Sequence, residues 1–134
     1  MLKFNAINLA NIEYWQDKNI VYAVYIKPDL TPEDVKKIID TIHANVPDKK
    51  FGIISDFIQI NFIIRETRHI FATYRYEDLI AAAVIYNDLL QRGLGNLFLK
   101  FSKPKYPTKF FSSMEEAEKW LLQEIKKYNE KNIS

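Results

Sequence analysis

Apolar residues recur along this chain with two different periods, and the switches between them lay out its elements. Residues 6–16 and 19–27 read as strands; the second, NIVYAVYIK, is rich in the β-branched and aromatic side chains that suit a pleated surface. QDKN between them is a hairpin turn. LTPEDVKKIIDTIHANVP then carries a helical period. Thr31 is placed to cap, Pro32 to take the first helical position, and Glu33 and Asp34 to face the positive end of the macrodipole, while Val35, Ile38, Ile39, Ile42 and Val46 form one stripe.

FGIISDF is a short apolar run of strand type, and NFIIRETRHIFATYR places Ile63, Thr67, Ile70 and Tyr74 on one helical face, with Asn61 at the cap. LIAAAVIY fits a strand or a buried helix by periodicity alone. Its shortness, and the helix start offered by Asn87 or Asp88, assign it to a strand buried on both faces. DLLQRGLGNLFLKF spaces Leu90, Leu94, Leu97 and Phe101 as a helix, with Gly93 and Gly95 lowering its intrinsic stability.

PTKFF is a short strand. SSMEEAEKWLLQEIKKY starts a last helix, with Ser112 or Ser113 as cap, Glu115 or Glu116 closing a capping box, and Met114, Ala117, Leu121, Ile125 and Tyr128 as its buried stripe. The order predicts an α/β fold: an open, mainly parallel sheet of about five strands with an N-terminal antiparallel hairpin and four helices.

Composition narrows the function classes. At 134 residues, 48% hydrophobic and 27% charged, the chain is expected to be a single domain over residues 1–134, with residues 129–134 a frayed tail. Nineteen basic against 17 acidic residues leave a formal charge of +2, which offers no global attraction to phosphate or anionic lipid. The longest apolar run, IAAAVIY, is far short of the roughly 20 residues of a membrane span. The start has no signal-peptide pattern, and cysteine is absent, so a cytoplasmic protein is expected.

Lys100, Lys103, Lys105 and Lys109 interleave with Phe101, Tyr106, Phe110 and Phe111, a pattern that suits a single-strand-binding track. Every one of these residues also has an architectural place, and no nucleic-acid-binding signature accompanies them, so no nucleic acid is expected as a partner. The two histidines, His43 and His69, lie on different predicted helices without metal-ligand spacing, and no G-x-S-x-G occurs. The glycines of RGLGN lack phosphate-cradle spacing. No metal, cofactor or catalytic residue is therefore assigned, and the chain is read as non-enzymatic.

The candidate binding residues sit on the second predicted helix and at strand ends. Arg65, Arg68, His69 and Arg75 share the face opposite its apolar stripe, where a planar guanidinium suits an anionic ligand or an acidic partner. Asp56 and Asn87 follow predicted parallel strands, the edge at which open α/β sheets bind ligands.

The run from IAAAVIY through GNLFLKFSKPKYPTKFFSSMEEAEKWL resembles the C-terminal half of STAS-like domains, the sulphate-transporter and anti-sigma-factor-antagonist group. It is most similar to the small stand-alone bacterial members of unknown function, on Asn96, Lys103, Pro104, Pro107, Thr108, Phe111, Glu116, Ala117, Trp120 and Leu121. The resemblance implies an open sheet flanked by helices and a binding or regulatory role without turnover. Antagonists in that group carry a phosphorylatable Ser or Thr in the loop before the second helix; here the loop is DFIQINF, and Ser55 falls within the preceding strand. Two functions follow: a module contacting a partner protein or a second copy of itself, or a carrier of a small apolar or anionic ligand. An internal pocket would favour the carrier, and an unbroken core the protein contact.

Overall fold

Residues 1–47, 50–86 and 104–132 are described in a computed structural model of the chain. Six strands form one sheet in the order of the sequence: β1 (Leu2–Ala6), β2 (Ala10–Trp15), β3 (Ile20–Tyr25), β4 (Phe51–Asp56), β5 (Leu79–Ile85) and β6 (Thr108–Phe111). The first three pair antiparallel, and β4, β5 and β6 are each added in parallel. The helices are α1 (Pro32–Asn45), α2 (Arg65–Thr73) and α3 (Met114–Lys131), with a 3-10 turn at Tyr76–Asp78. The helix expected over 88–101 lies outside the described residues.

The architecture is the expected α/β sheet with one more strand. The predicted strand at 6–16 is a hairpin arm that reverses at Ile7–Leu9, where Asn8 takes a left-handed φ of 63°. β1 carries almost no apolar alternation, because Ala6 is its one buried residue, and its sequence therefore does not announce a strand. At the next turn Asn19 is also left-handed, and its side chain accepts from the Tyr14 hydroxyl and donates to the Lys50 carbonyl, both at 2.8 Å. The β2–β3 hairpin is thereby tied to the start of β4.

Capping fixes the long helices where the sequence places them. Thr31 and Asp34 form a reciprocal capping box at α1, and the Ser113 hydroxyl accepts from the Glu116 amide at α3. The second helix differs: it begins at Arg65, with Ile64 as a cap that makes no side-chain hydrogen bond. The amides of Asn61 and Phe62 instead donate to the Pro28 carbonyl, holding residues 57–64 as an irregular segment that turns Ile60 and Ile63 into the core. The buried Thr67 hydroxyl donates to the Leu30 carbonyl at 2.9 Å and fastens α2 to the β3–α1 connection.

Alternation sorts the sheet into two faces. On one, Val21, Ala23, Tyr25, Ile53 and Ala82 meet Val35, Ile38 and Ile42 of α1, with Ile70 and Phe71 of α2 packed on the same cluster. On the other, Ile20, Ile54, Ala81, Ala83 and Phe111 meet Ala117, Leu121 and Ile125 of α3, with Trp120 packed against Phe111 at 5.7 Å between ring centroids.

Gly52 lets α3 approach: a Cβ there would stand 2.9 Å from both Leu121 Cδ1 and Ile125 Cδ1. Gly52→Val is expected to cost about 1–3 kcal/mol by overpacking this contact. Urea unfolding monitored by circular dichroism measures it, and an unchanged midpoint would show that Leu121 and Ile125 repack freely.

Candidate functional site

A cavity opens between the sheet and the α1–α2 layer. Its floor comes from residues on one face of three neighbouring strands: Tyr25 of β3, Ile53 and Ser55 of β4, and Ala82 and Val84 of β5. Its roof comes from Ile39, Ile42 and His43 of α1, from Ile60 and Ile63, and from Arg68 and Phe71 of α2. Ala82 is the smallest of these floor side chains, so a larger residue at that position would project into the space. The cavity measures about 70 Å³, roughly half the ~150 Å³ of an engineered apolar cavity that takes up benzene.

One end is aromatic. Tyr25, Phe57 and Phe71 stand with ring centroids 5.1–5.5 Å apart, and the Tyr106 hydroxyl donates to the Phe71 carbonyl. The Tyr25 and Ser55 hydroxyls bond to each other at 2.9 Å in a buried setting. Burial, reinforced by the charge of Asp56 and only partly offset by the Ser55 hydroxyl, pushes the Tyr25 phenol up to about 12. Burial also raises the Tyr106 phenol.

Arg68 enters this apolar setting from α2. Its Nη1 donates to the Ile63 carbonyl at 2.9 Å, while its Nε is buried and makes no hydrogen bond among the described residues. None of the ion pairs among those residues includes Arg68.

The other end is closed by a charged clip. Arg75, left-handed with φ 53° just past α2, bonds Asp40 of α1 at 3.1 Å and approaches Asp78 at 3.6 Å, and the Tyr74 hydroxyl donates to the same Asp40 carboxylate. His43 Nε2 lies 3.6 Å from Asp78, with its imidazole against the Phe51 ring. Burial, and after it the neighbouring Arg75, hold His43 below its ordinary range despite the opposing pull of Asp78 and Asp40.

The residues singled out from sequence are thus separated. Arg65 and His69 remain on the exposed face of α2, whereas Arg68 turns under it into the cavity, and Arg75 lies beyond the helix altogether. Asp56 is on the opposite side of the sheet, accepting from the Tyr22 hydroxyl at 2.9 Å and, through its other oxygen, from the Ile58 amide. Asn87 lies outside the described residues. Tyr25, Ser55, His43 and Phe71 complete the site without having been singled out for it. The Ser55–Asp56 pair in the otherwise apolar run FGIISDF was the available signal.

His43 makes stability depend on pH. Its folded pKa is below the unfolded value of about 6.5, so its contribution is complete above that pH. It declines as pH falls through 6.5, where the unfolded chain takes up a proton that the fold resists. The melting temperature is expected to fall between pH 7.5 and 5, less steeply in His43→Gln, with this residue supplying at most about 1.4 kcal/mol per pH unit. Parallel curves for the two proteins would refute the assignment.

Comparison with known proteins places this geometry in a fold. A crystal structure of an uncharacterized protein from the DUF3478 family of Shewanella loihica PV-4, described as having a SpoIIAA-like fold, superposes with a TM-score of 0.61 at 19% identity. The match covers 84% of this chain and 91% of that one. The fold is accordingly SpoIIAA-like, which is the STAS-like architecture. No curated protein matches the chain. A family model matches residues 14–125, and the chain belongs to that family, described as a domain of unknown function (DUF7793).

Proposed function

We propose that this protein is a non-enzymatic, cytoplasmic binding module that holds a small, largely apolar ligand between its sheet and the α1–α2 layer. The observation that carries this reading is the cavity itself, with apolar walls and a guanidinium that has no ion-pair partner among the described residues. A concave apolar site with a few convergent polar groups is the usual form of a small-molecule pocket. The polar groups favour binding over turnover. Ser55 is bonded to a phenol pushed up to about 12, which is no base at neutral pH, so the pair is not a nucleophile with its activator.

A second reading, contact with a partner protein or a second copy, is favoured by the segment before α2. Phe62 is 58% exposed there and Ile64 40%, more apolar surface than a solvated loop requires. The two readings are compatible, since the same segment supplies Ile60 and Ile63 to the cavity wall.

Native mass spectrometry of protein isolated from its own host tests the ligand reading. A bound small molecule is expected on the wild type and is expected to be lost from Ala82→Leu, which fills the floor, with circular dichroism confirming that the variant is folded. A bare chain mass for the wild type, or an adduct that survives in the folded variant, would count against the cavity as the binding site.

A further inference from the structure

We infer that the cavity selects a small monocarboxylate, whose carboxylate is held by Arg68 together with the Tyr25–Ser55 hydroxyl pair and whose body of a few carbons lies on the apolar floor. The inference rests on the ligand reading above and goes beyond it by naming the chemical class.

Charge balance points to a single anionic group. Among the described residues, three basic side chains line the cavity: His43, Arg68 and Arg75. Arg75 is neutralised by Asp40 and Asp78, and His43 is held below its ordinary range by burial and by Arg75. Arg68 is left as the one cationic group there without a carboxylate partner among the described residues. A cation brought partly out of water with no counter-charge is unfavourable, and one bound anion removes that cost. A dianion such as phosphate would exceed the available charge.

The hydrogen-bond inventory points to an acceptor. Tyr106 donates to Phe71, and the Thr108 hydroxyl donates to the Tyr106 carbonyl. Tyr25 and Ser55 each carry one hydroxyl hydrogen, and their mutual bond uses only one of the two. The remaining hydroxyl hydrogen and Arg68 Nε–H are therefore donors without an acceptor among the described residues, on three side chains that line one cavity. Because the Tyr25 phenol is pushed up to about 12, the pair keeps both hydrogens at physiological pH. A carboxylate accepts from both donors and supplies the negative charge that Arg68 lacks, whereas a neutral primary amide of the same shape leaves the guanidinium without a counter-charge. The cavity of about 70 Å³ sets the size, since it admits a short aliphatic chain more readily than a full ring.

The experiment is isothermal titration calorimetry of the full chain with butyrate and with butyramide, a pair matched in shape, on the wild type, Arg68→Met and Ser55→Ala. Butyrate is expected to bind the wild type at least ten-fold more tightly than butyramide. That preference is expected to vanish in Arg68→Met, which keeps the apolar stem, and to shrink in Ser55→Ala. Equal binding of acid and amide, unaltered in Arg68→Met, would overturn the carboxylate assignment while leaving a ligand-binding cavity in place. If neither compound binds, the carboxylate assignment falls, and the cavity reading stands or falls separately on the adduct and Ala82→Leu. Should Arg68→Met fail to fold by circular dichroism, the acid–amide comparison on the wild type decides by itself.

Discussion

Burial of β4 and β5 on both faces governs what the rest of this molecule can be. Sandwiched between α1–α2 and α3, these strands leave no side open to water, so their side chains must be apolar or must satisfy their polar atoms within the protein. β5 meets the demand with Ile80, Ala81, Ala82, Ala83, Val84 and Ile85, all buried. β4 meets it in the second way: it ends in Ser55 and Asp56, both buried and both polar, and each is bonded to a tyrosine. Alternation sends them to opposite faces, Ser55 to Tyr25 and Asp56 to Tyr22. One strand end thus supplies a neutral hydroxyl pair to the cavity on one side and a charged tyrosine contact on the α3 side.

Much of the fold was legible because it is written in period and caps. Val35, Ile38 and Ile42 repeat at helical spacing behind Thr31 and Pro32, and Ala117, Leu121 and Ile125 do so behind Ser113; local preference and tertiary packing agree there, and the elements lie where the pattern puts them. The failures have local causes. β1 is an edge strand with one buried residue and so has little alternation to read. α2 starts later than its pattern because Ile63, which heads the apolar stripe behind Asn61, reaches the core, as Ile60 does, from an extended segment pinned to Pro28. Sequence spacing alone does not distinguish those two routes to the interior.

The site was less legible than the fold. Placing four basic residues on one helical face assumes a helix that runs through all of them, and α2 ends before Arg75, whose left-handed conformation sends its side chain to Asp40 instead. Arg68 was identified for its charge, but its burial depends on Ile63 lying close enough to accept from it, a contact made by the irregular segment. A cavity has no periodic signature at all. Only the assembled layers bring Tyr25, Ser55, Ala82 and Arg68 to a common space.

That space is better understood as a built feature than as loose packing. An interior normally closes to crystal-like density, and an unfilled volume forfeits dispersion contacts on every wall. Here the opposite face shows how tightly this chain can pack, since α3 sits so close to Gly52 that a methyl group there would collide with two side chains. The loss is therefore confined to one face. On that face α2 and its flanks are tied in place by three side-chain bonds: Thr67 to Leu30, Tyr106 to Phe71, and Arg75 to Asp40. A guanidinium and a hydroxyl pair are maintained inside it at a cost to stability that an apolar side chain at either place would avoid. Polar groups kept at such a cost, on a wall fixed by these bonds, are accounted for by the proposed ligand and not by loose packing.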